Sequence, residues 1–230
     1  MSTSSKPGTS KKRQSKPKDP PRPNSAVING KEEEFYNLCQ RFRFPSEWGA
    51  QNPTVGSTAL NAPPGYMTLN VALFREGNFC LPMTKFLGEV LTKYGLHISQ
   101  INALGLPWVT HFEFICRAQR LILTVKMVNV FYYVTYTGGF YSFNSRTATV
   151  LPCSRDPPKR FHDWKNKFFY IRRGVIPIEM HYHSEREGVP KFVIGGSYAD
   201  QDWYKTLTRV PASIVQLEEK ALVAARMSMM

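Results

Sequence analysis

The sequence has few cysteines, and none of them lie close together. Cys39, Cys80, Cys116 and Cys153 are 41, 36 and 37 residues apart. A zinc knuckle or finger needs thiolates and imidazoles close enough for one short loop to wrap the ion, so this spacing excludes such a site. A chain of 230 residues can also fold without disulfides. We therefore expect reduced, mostly buried thiols in an intracellular protein.

Long apolar runs are absent as well. The richest stretch, residues 121–136, is interrupted by Lys126 and Asn129, whereas a membrane span needs roughly 18 or more uninterrupted apolar residues. The N-terminal segment is charged and rich in Ser and Pro, without the apolar stretch of a secretory signal. We expect no membrane association and a location in the nucleus or cytoplasm.

Acidic residues are scarce, with 17 Asp+Glu against 30 Lys+Arg and a net charge of +13. Residues 1–24 contain seven basic residues and one acidic residue, a net +6, which leaves a net +7 for the other 206 residues. Only Met1 in this segment is hydrophobic, beside five Ser and five Pro. Because it has nothing to bury, we predict a disordered basic tail.

Five cations of this tail are candidate nucleic-acid ligands: Lys11, Lys12, Arg13, Lys16 and Lys18. Such a cluster binds RNA or DNA phosphates by releasing counterions, without sequence preference. Composition does not separate this role from nuclear import or from simple solubility.

Signatures of catalysis are also missing. There is no G-x-S-x-G elbow, phosphate-binding glycine loop or catalytic cysteine motif. His181, His183, Asp200 and Asp202 could together bind a divalent ion, but polar pairs spaced by two are typical of the solvated face of an edge strand. We predict no catalytic residue, no metal site and no cofactor, with a degenerate metal-dependent nuclease or transposase as the alternative.

Helical periodicity and punctuation dominate residues 32–136. We predict a helix that begins near Glu32 and stops before Pro45, followed by an extended connector through residue 66. Further helices are predicted after Pro82 and ending at Gly95, from a Ser99 cap through Leu104, from Pro107 to about Gln119 with Phe112, Ile115 and Cys116 buried, and from a Thr124 cap through Tyr136.

After Gly138 and Gly139, short β-prone runs at 140–144, 167–172, 176–183 and 191–194 predict a small antiparallel sheet. Ser213 and Gln216 then form a capping-box pattern that predicts a C-terminal helix. The expected fold class is α+β, with three to four helices packed on the sheet. We divide the chain into a tail (1–24), a short helix and connector (25–66), an α+β domain (67–200) and a C-terminal helical segment (201–230), whose amphipathic pattern suggests a longer parent.

Basic and aromatic residues run together at 164–173. Alternation on a strand predicts Phe168 and Tyr170 on one face, with Lys165, Lys167 and Phe169 on the other. Exposed rings flanked by cations would suit base stacking and phosphate binding, but strand aromatics usually fill a core, and we favour that interpretation. A host regulatory module that reads DNA through Lys165, Lys167 and Arg172 is a further alternative.

Four blocks resemble one known family. They are LFREGNFCLPMTKFLGEVLTKYGLHISQI (73–101), HFEFICRA (111–118), GGFYSFNSR (138–146) and WKNKFFYI (164–171). In order and pattern they resemble the plant family of gypsy-type transposon domains, labelled "transposase", found in retrotransposon-derived reading frames. The resemblance spans a little under half of the chain. It identifies residues 67–200 as the domain that is similar to this family.

The resemblance implies a Gag-like portion of a long-terminal-repeat element, or a gene derived from one, and no catalytic residue. We therefore expect the folded part to associate with copies of itself or to bind other proteins of the element. The C-x-x-C-x-x-x-x-H knuckle of a complete Gag is missing from the sequence. Nucleic-acid packaging therefore falls to the basic tail, or a downstream portion has been lost.

Overall fold

A computed structural model of the protein describes residues 32–59, 61–146, 164–176, 188–191 and 197–209, together with Met180, Ala224 and the backbone of 153–154 and 212–213. In these residues the chain forms helices α1 (Glu32–Arg41), α2 (Val71–Arg75), α3 (Lys85–Tyr94), α4 (Pro107–Ala118), α5 (Val125–Phe131) and α6 (Asp202–Thr208). The strands are β1 (Tyr66–Asn70), β2 (Tyr132–Thr137), β3 (Phe140–Ser145), β4 (Cys153–Ser154), β5 (Phe168–Arg172) and β6 (Ala212–Ser213).

The fold class is α+β, as predicted. Strand β1 pairs with β5 and β2 pairs with β3, both antiparallel, whereas β4 and β6 form a two-residue parallel pair. The predicted small antiparallel sheet is therefore present as separate two-stranded pairs. The helices pack between and around these pairs, and one continuous hydrophobic core contains residues from α1 through α6.

Several predicted helix boundaries are confirmed, and each of them has a local chemical cause. Three glutamates occupy the first turn of α1, where negative charge is stabilised by the helix dipole. The Thr84 side chain accepts the Leu87 N–H at the start of α3, and Gly95 ends that helix with φ of 62°. Pro107 opens α4, and Thr124 caps α5. Each of these signals is a property of residues within one turn of the boundary.

Two of the helix predictions are wrong. Ser99 does not cap a helix to Leu104, because the chain there forms only a 3₁₀ turn, Ile98–Gln100, and His97 is its cap. The helix predicted through Tyr136 stops at Phe131, where β2 begins. The residues of β2 alternate between buried and more exposed positions along the first half of the strand. A turn at Gly138 and Gly139, both with positive φ, then reverses the chain so that β3 pairs with β2.

The connector predicted as extended contains local structure. A 3₁₀ turn, Ser46–Trp48, is closed by Gly49 at φ of 60°, and Gln51 pairs with Tyr170 as an isolated antiparallel bridge. The connector then leads directly into β1, which begins at its last residue, Tyr66. Sequence analysis missed this strand because its partner lies about a hundred residues further along.

Several sequence predictions fall outside the described residues. These are the tail at 1–24, most of the runs at 176–183 and 191–194, and the helix after Ser213 apart from Ala224, which is helical. Ile176, Met180 and Lys191 are described and belong to no strand. Helix α6 lies in the predicted C-terminal helical segment, but earlier than the capping-box pattern indicated.

A buried carboxylate joins α3 to α4. Glu113 is 0% exposed and accepts hydrogen bonds from Thr84 Oγ1 at 2.7 Å and from Arg117 Nη2 at 2.7 Å and Nε at 2.9 Å. Burial raises the pKa of Glu113, although the bonds from Thr84 and Arg117 oppose that shift. Because Thr84 is also the cap of α3, one side chain links the start of one helix to the body of the next.

Gly105 lets the turn before α4 approach strand β3 closely. A Cβ atom added to Gly105 would lie 2.9 Å from the Phe143 backbone nitrogen and 3.0 Å from Ser142 Cα. These are backbone atoms of a paired strand, so they move less easily than a side chain does. Nearby, the Asn102 N–H donates to the Tyr141 carbonyl at 2.7 Å, which fixes the same approach.

We predict that Gly105→Ala lowers the free energy of unfolding by about 1–3 kcal/mol, as overpacking of a close contact does. Gly174→Ala is the matched control, since a Cβ there meets nothing within 4 Å, and it should be neutral or stabilising by about 0.4–1 kcal/mol. Urea unfolding of the two variants measures both values. Equal stability of the two would contradict the close approach.

Candidate nucleic-acid interface

The aromatic segment at 168–171 is buried on both of its faces. Phe169 and Ile171 are 0% exposed and belong to the main core, while Phe168 and Tyr170 are 2% and 4% exposed. The second pair packs under Ala59, Ala62 and Tyr66. Base stacking requires accessible rings, so these rings are core residues, as the favoured interpretation predicted. The predicted alternation is also confirmed for the three aromatic rings.

Tyr170 is fixed by bonds to the connector on the side of β5 away from β1. Its N–H donates to the Gln51 carbonyl at 3.0 Å, and its own carbonyl accepts the Gln51 N–H at 2.8 Å. The Tyr170 hydroxyl donates to the Thr58 carbonyl at 2.8 Å. The connector therefore covers the ring face that a nucleic-acid base would need.

The three candidate cations of this segment contact three different parts of the chain. Lys165 lies in a 3₁₀ turn, Trp164–Asn166, and not on the strand as predicted; its Nζ donates to the Gly138 carbonyl at 2.8 Å. Lys167 pairs with Glu34 at 3.3 Å, and Arg172 Nη1 donates to the Glu47 carbonyl at 3.4 Å. Each cation thus stabilises a packing contact within the fold.

Lys167 and Arg172 nevertheless remain exposed. An exposed ion pair such as Lys167–Glu34 contributes about 0–1 kcal/mol, so a phosphate could compete for either cation. Sequence analysis missed Glu34 as a partner of Lys167, because 133 residues separate them and no local pattern marks such a pair. The five tail candidates, Lys11, Lys12, Arg13, Lys16 and Lys18, lie outside the described residues.

The structure describes two of the four residues of the alternative metal site. Asp200 and Asp202 are exposed, with Asp202 at the start of α6, whereas His181 and His183 are outside the described ranges. In the part of the chain that is described, no group of three or more His, Cys, Asp or Glu residues is arranged to hold a metal ion.

The cysteines in the described side chains are free thiols. Cys116 is fully buried, as predicted, while Cys39 and Cys80 are partly exposed. Burial raises the pKa of the Cys39 thiol, which keeps it protonated and lowers its nucleophilicity. Cys153 lies in β4 and only its backbone is described.

His97 is a buried histidine whose pKa is influenced by Arg173 of the basic segment. It is 7% exposed, and its Nδ1 accepts the Ser99 N–H at 3.2 Å, which requires an unprotonated nitrogen. Burial and then the positive charge of Arg173 lower the pKa of His97 to about 4. A neutral, buried histidine therefore lies close to the cationic end of β5.

Comparison with protein-family models, with curated proteins and with solved structures found no match. The resemblance to gypsy-type transposon domains therefore rests on the four sequence blocks alone. Among the described residues, no helix is long and apolar enough to cross a membrane.

The low pKa of His97 predicts a pH-dependent stability. As the pH falls, the unfolded chain takes up the proton first, near pH 6.5. The contribution of neutral His97 to stability is therefore fully present above pH 6.5, and it is lost as the pH falls toward the pKa of about 4 in the folded chain. The loss should reach about 3 kcal/mol at most, at about 1.36 kcal/mol per unit of pKa difference.

His97→Asn is the test, because the Asn Oδ1 keeps an acceptor at the cap position and does not titrate. Chemical unfolding at pH 7, 5.5 and 4.5 should give a shallower decline for the variant than for the wild type. Parallel declines would mean that other groups cause the acid sensitivity.

Proposed function

We propose that the protein is a non-enzymatic, Gag-like structural or interaction protein of retrotransposon origin, acting in the nucleus or cytoplasm. Its segment 1–24 contacts RNA or DNA without sequence preference, and the folded part associates with further copies or with other proteins of the element. The observation that carries the proposal is the concentration of charge, since net +6 of the total +13 lies in those 24 residues.

The packing of the fold supports the tail over the strand as the contact with nucleic acid. The four consecutive apolar side chains of β5 are at most 4% exposed, and the cations beside them each bond to a backbone carbonyl or to Glu34. The net +7 on the other 206 residues is modest. A tail that contributes several lysines and arginines needs no shaped surface to bind phosphates.

The non-enzymatic part of the proposal is supported by the lack of catalytic motifs in the sequence and by the exposure of Asp200 and Asp202. Asp200 and Asp202 are both exposed, whereas metal-dependent strand cleavage needs several carboxylates that converge on one or two ions. The resemblance to the gypsy-type family supports the Gag-like assignment and brings no catalytic position with it.

We predict that replacing Lys11, Lys12, Arg13, Lys16 and Lys18 with Gln in the full chain abolishes most of the salt dependence of binding. For a single-stranded oligonucleotide, the slope of log K against log salt falls by about 0.7 for each lost phosphate contact. The five substitutions should therefore reduce it by about 3–4. Fluorescence anisotropy with a labelled 30-nucleotide homopolymer at 50–200 mM salt measures the slope.

The matched variant replaces Lys165, Lys167 and Arg172 with Gln. It should change the slope of log K against log salt by less than about 0.7 for each substituted residue. Loss of binding in this variant with an intact tail would favour the strand, and loss of discrimination between duplex sequences would favour the regulatory-module alternative. Salt-independent binding, or no binding by the intact chain, would contradict the nucleic-acid role. A strict monomer by light scattering at all concentrations would contradict self-association.

A further inference from the structure

The loop between α4 and α5, residues 119–124, presents an apolar side chain to solvent. Ile122 is 88% exposed, whereas Leu121 and Leu123 on either side of it pack against the main core. Because the two leucines anchor the loop, the outward position of Ile122 is fixed by the fold. A single exposed apolar residue is common on protein surfaces, so its meaning depends on the groups beside it.

Arg120, two residues before Ile122, has a backbone conformation that glycine normally occupies. Its φ is 57°, and its N–H donates to the Arg117 carbonyl at 3.0 Å. The next N–H, of Leu121, donates to the Cys116 carbonyl at 2.9 Å, which completes a Schellman motif at the end of α4. Glycine adopts this left-handed conformation without strain, whereas arginine does not. Strained residues cluster at functional sites, so the Arg120 side chain is a candidate for a function.

The Arg120 side chain is also the unpaired cation of this region. It is exposed and makes no ion pair within the described ranges. By contrast, Arg117 forms an ion pair along α4, and Lys126, in the first turn of α5, lies over the Tyr198 ring at 5.3 Å. A surface that covers this loop must therefore supply a carboxylate for Arg120 and an apolar group for Ile122.

Helix α1 carries both groups on its outer face. Tyr36 is 62% exposed, and Glu33, Asn37 and Gln40 are exposed beside it. These four residues have the i, i+3, i+4, i+7 spacing of one helix face. Glu33 makes no ion pair in the part of the chain that is described, whereas the neighbouring Glu34 does. The outer face of α1 thus places a free carboxylate one turn before an exposed ring.

We propose that the outer face of α1 docks on the α4–α5 loop of a second copy of this chain. In this contact Glu33 pairs with Arg120, and the Tyr36 ring covers Ile122. Charge complementarity selects this occupant, because a second α4–α5 loop would bring Arg120 and Lys126 against the same cations. The phosphates of a nucleic acid would pair with Arg120 but would not cover Ile122.

This contact rests on the self-association proposed above and assigns it a surface. Because the two docking surfaces differ, each copy can bind two others, and the association can extend beyond a dimer.

Sedimentation velocity of the full chain, freed of nucleic acid and run over a series of concentrations, tests the charge pair. Glu33→Arg and Arg120→Glu should each weaken association by about fivefold or more, because each brings like charges together. An equimolar mixture of the two variants should restore association, since opposite charges then meet in both possible contacts. Glu47→Arg is the matched control and should have no effect, because Glu47 and Glu34 contact opposite ends of β5.

Two further variants separate the contact from the fold. Ile122→Ser should weaken association by about fivefold or more, whereas Val55→Ser, at an equally exposed position (85%) outside both surfaces, should not. Arg120→Gly should weaken association and leave the urea midpoint of the monomer unchanged or higher, because glycine relieves the strain. A purely structural arginine would give a lower midpoint instead.

The outcomes distinguish this contact from the proposed function. If the wild type associates, the contact is overturned by unchanged association in Glu33→Arg or Arg120→Glu, by no recovery in their mixture, or by equal effects of Ile122→Ser and Val55→Ser. A lower midpoint in Arg120→Gly would overturn it as well. In each of these cases self-association itself would stand, whereas a wild-type chain that is monomeric at every concentration would contradict both.

Discussion

The antiparallel pairing of β1 with β5 is the constraint on which the other contacts depend. Tyr66 pairs with Arg172 and Asn70 with Phe168, and this two-stranded ribbon is covered on both faces. On one side Phe169 contacts Phe35, Phe44 and Phe74, with ring centroids 5.5–6.0 Å apart. On the other, the connector closes over Tyr170. If the pairing were broken, α1, the connector and α2 would all lose the surface they pack on.

Features caused by neighbouring residues could be predicted from the sequence, and features caused by distant residues could not. The Gly95 stop, the Pro107 start and the Thr124 cap each act within one helical turn, so periodicity and punctuation predicted them. The apolar residues of β2 fit a helical spacing equally well, and only the pairing of β2 with β3 makes this segment a strand. Strand β1 follows a connector rich in Pro and Gly, and its partner is about a hundred residues away.

The same division applies to the sites. The charge of the tail is a local property that the composition reveals. The burial of the β5 aromatics was predicted from strand alternation and from the tendency of aromatic residues in strands to lie in the core. The pairing of Lys167 with Glu34 joins residues 133 positions apart, so no local sequence pattern marks it.

The contact between Phe35 and Phe169 also orders events during synthesis. A ribosome adds about 5–20 residues per second, so α1 is complete roughly ten seconds before the strand that covers it has been made. During that interval the apolar side chains of α1 have no partner in β5, and pairings this distant form late because loop closure must come first. The part of the fold that contains this contact therefore closes only after β5 has left the exit tunnel.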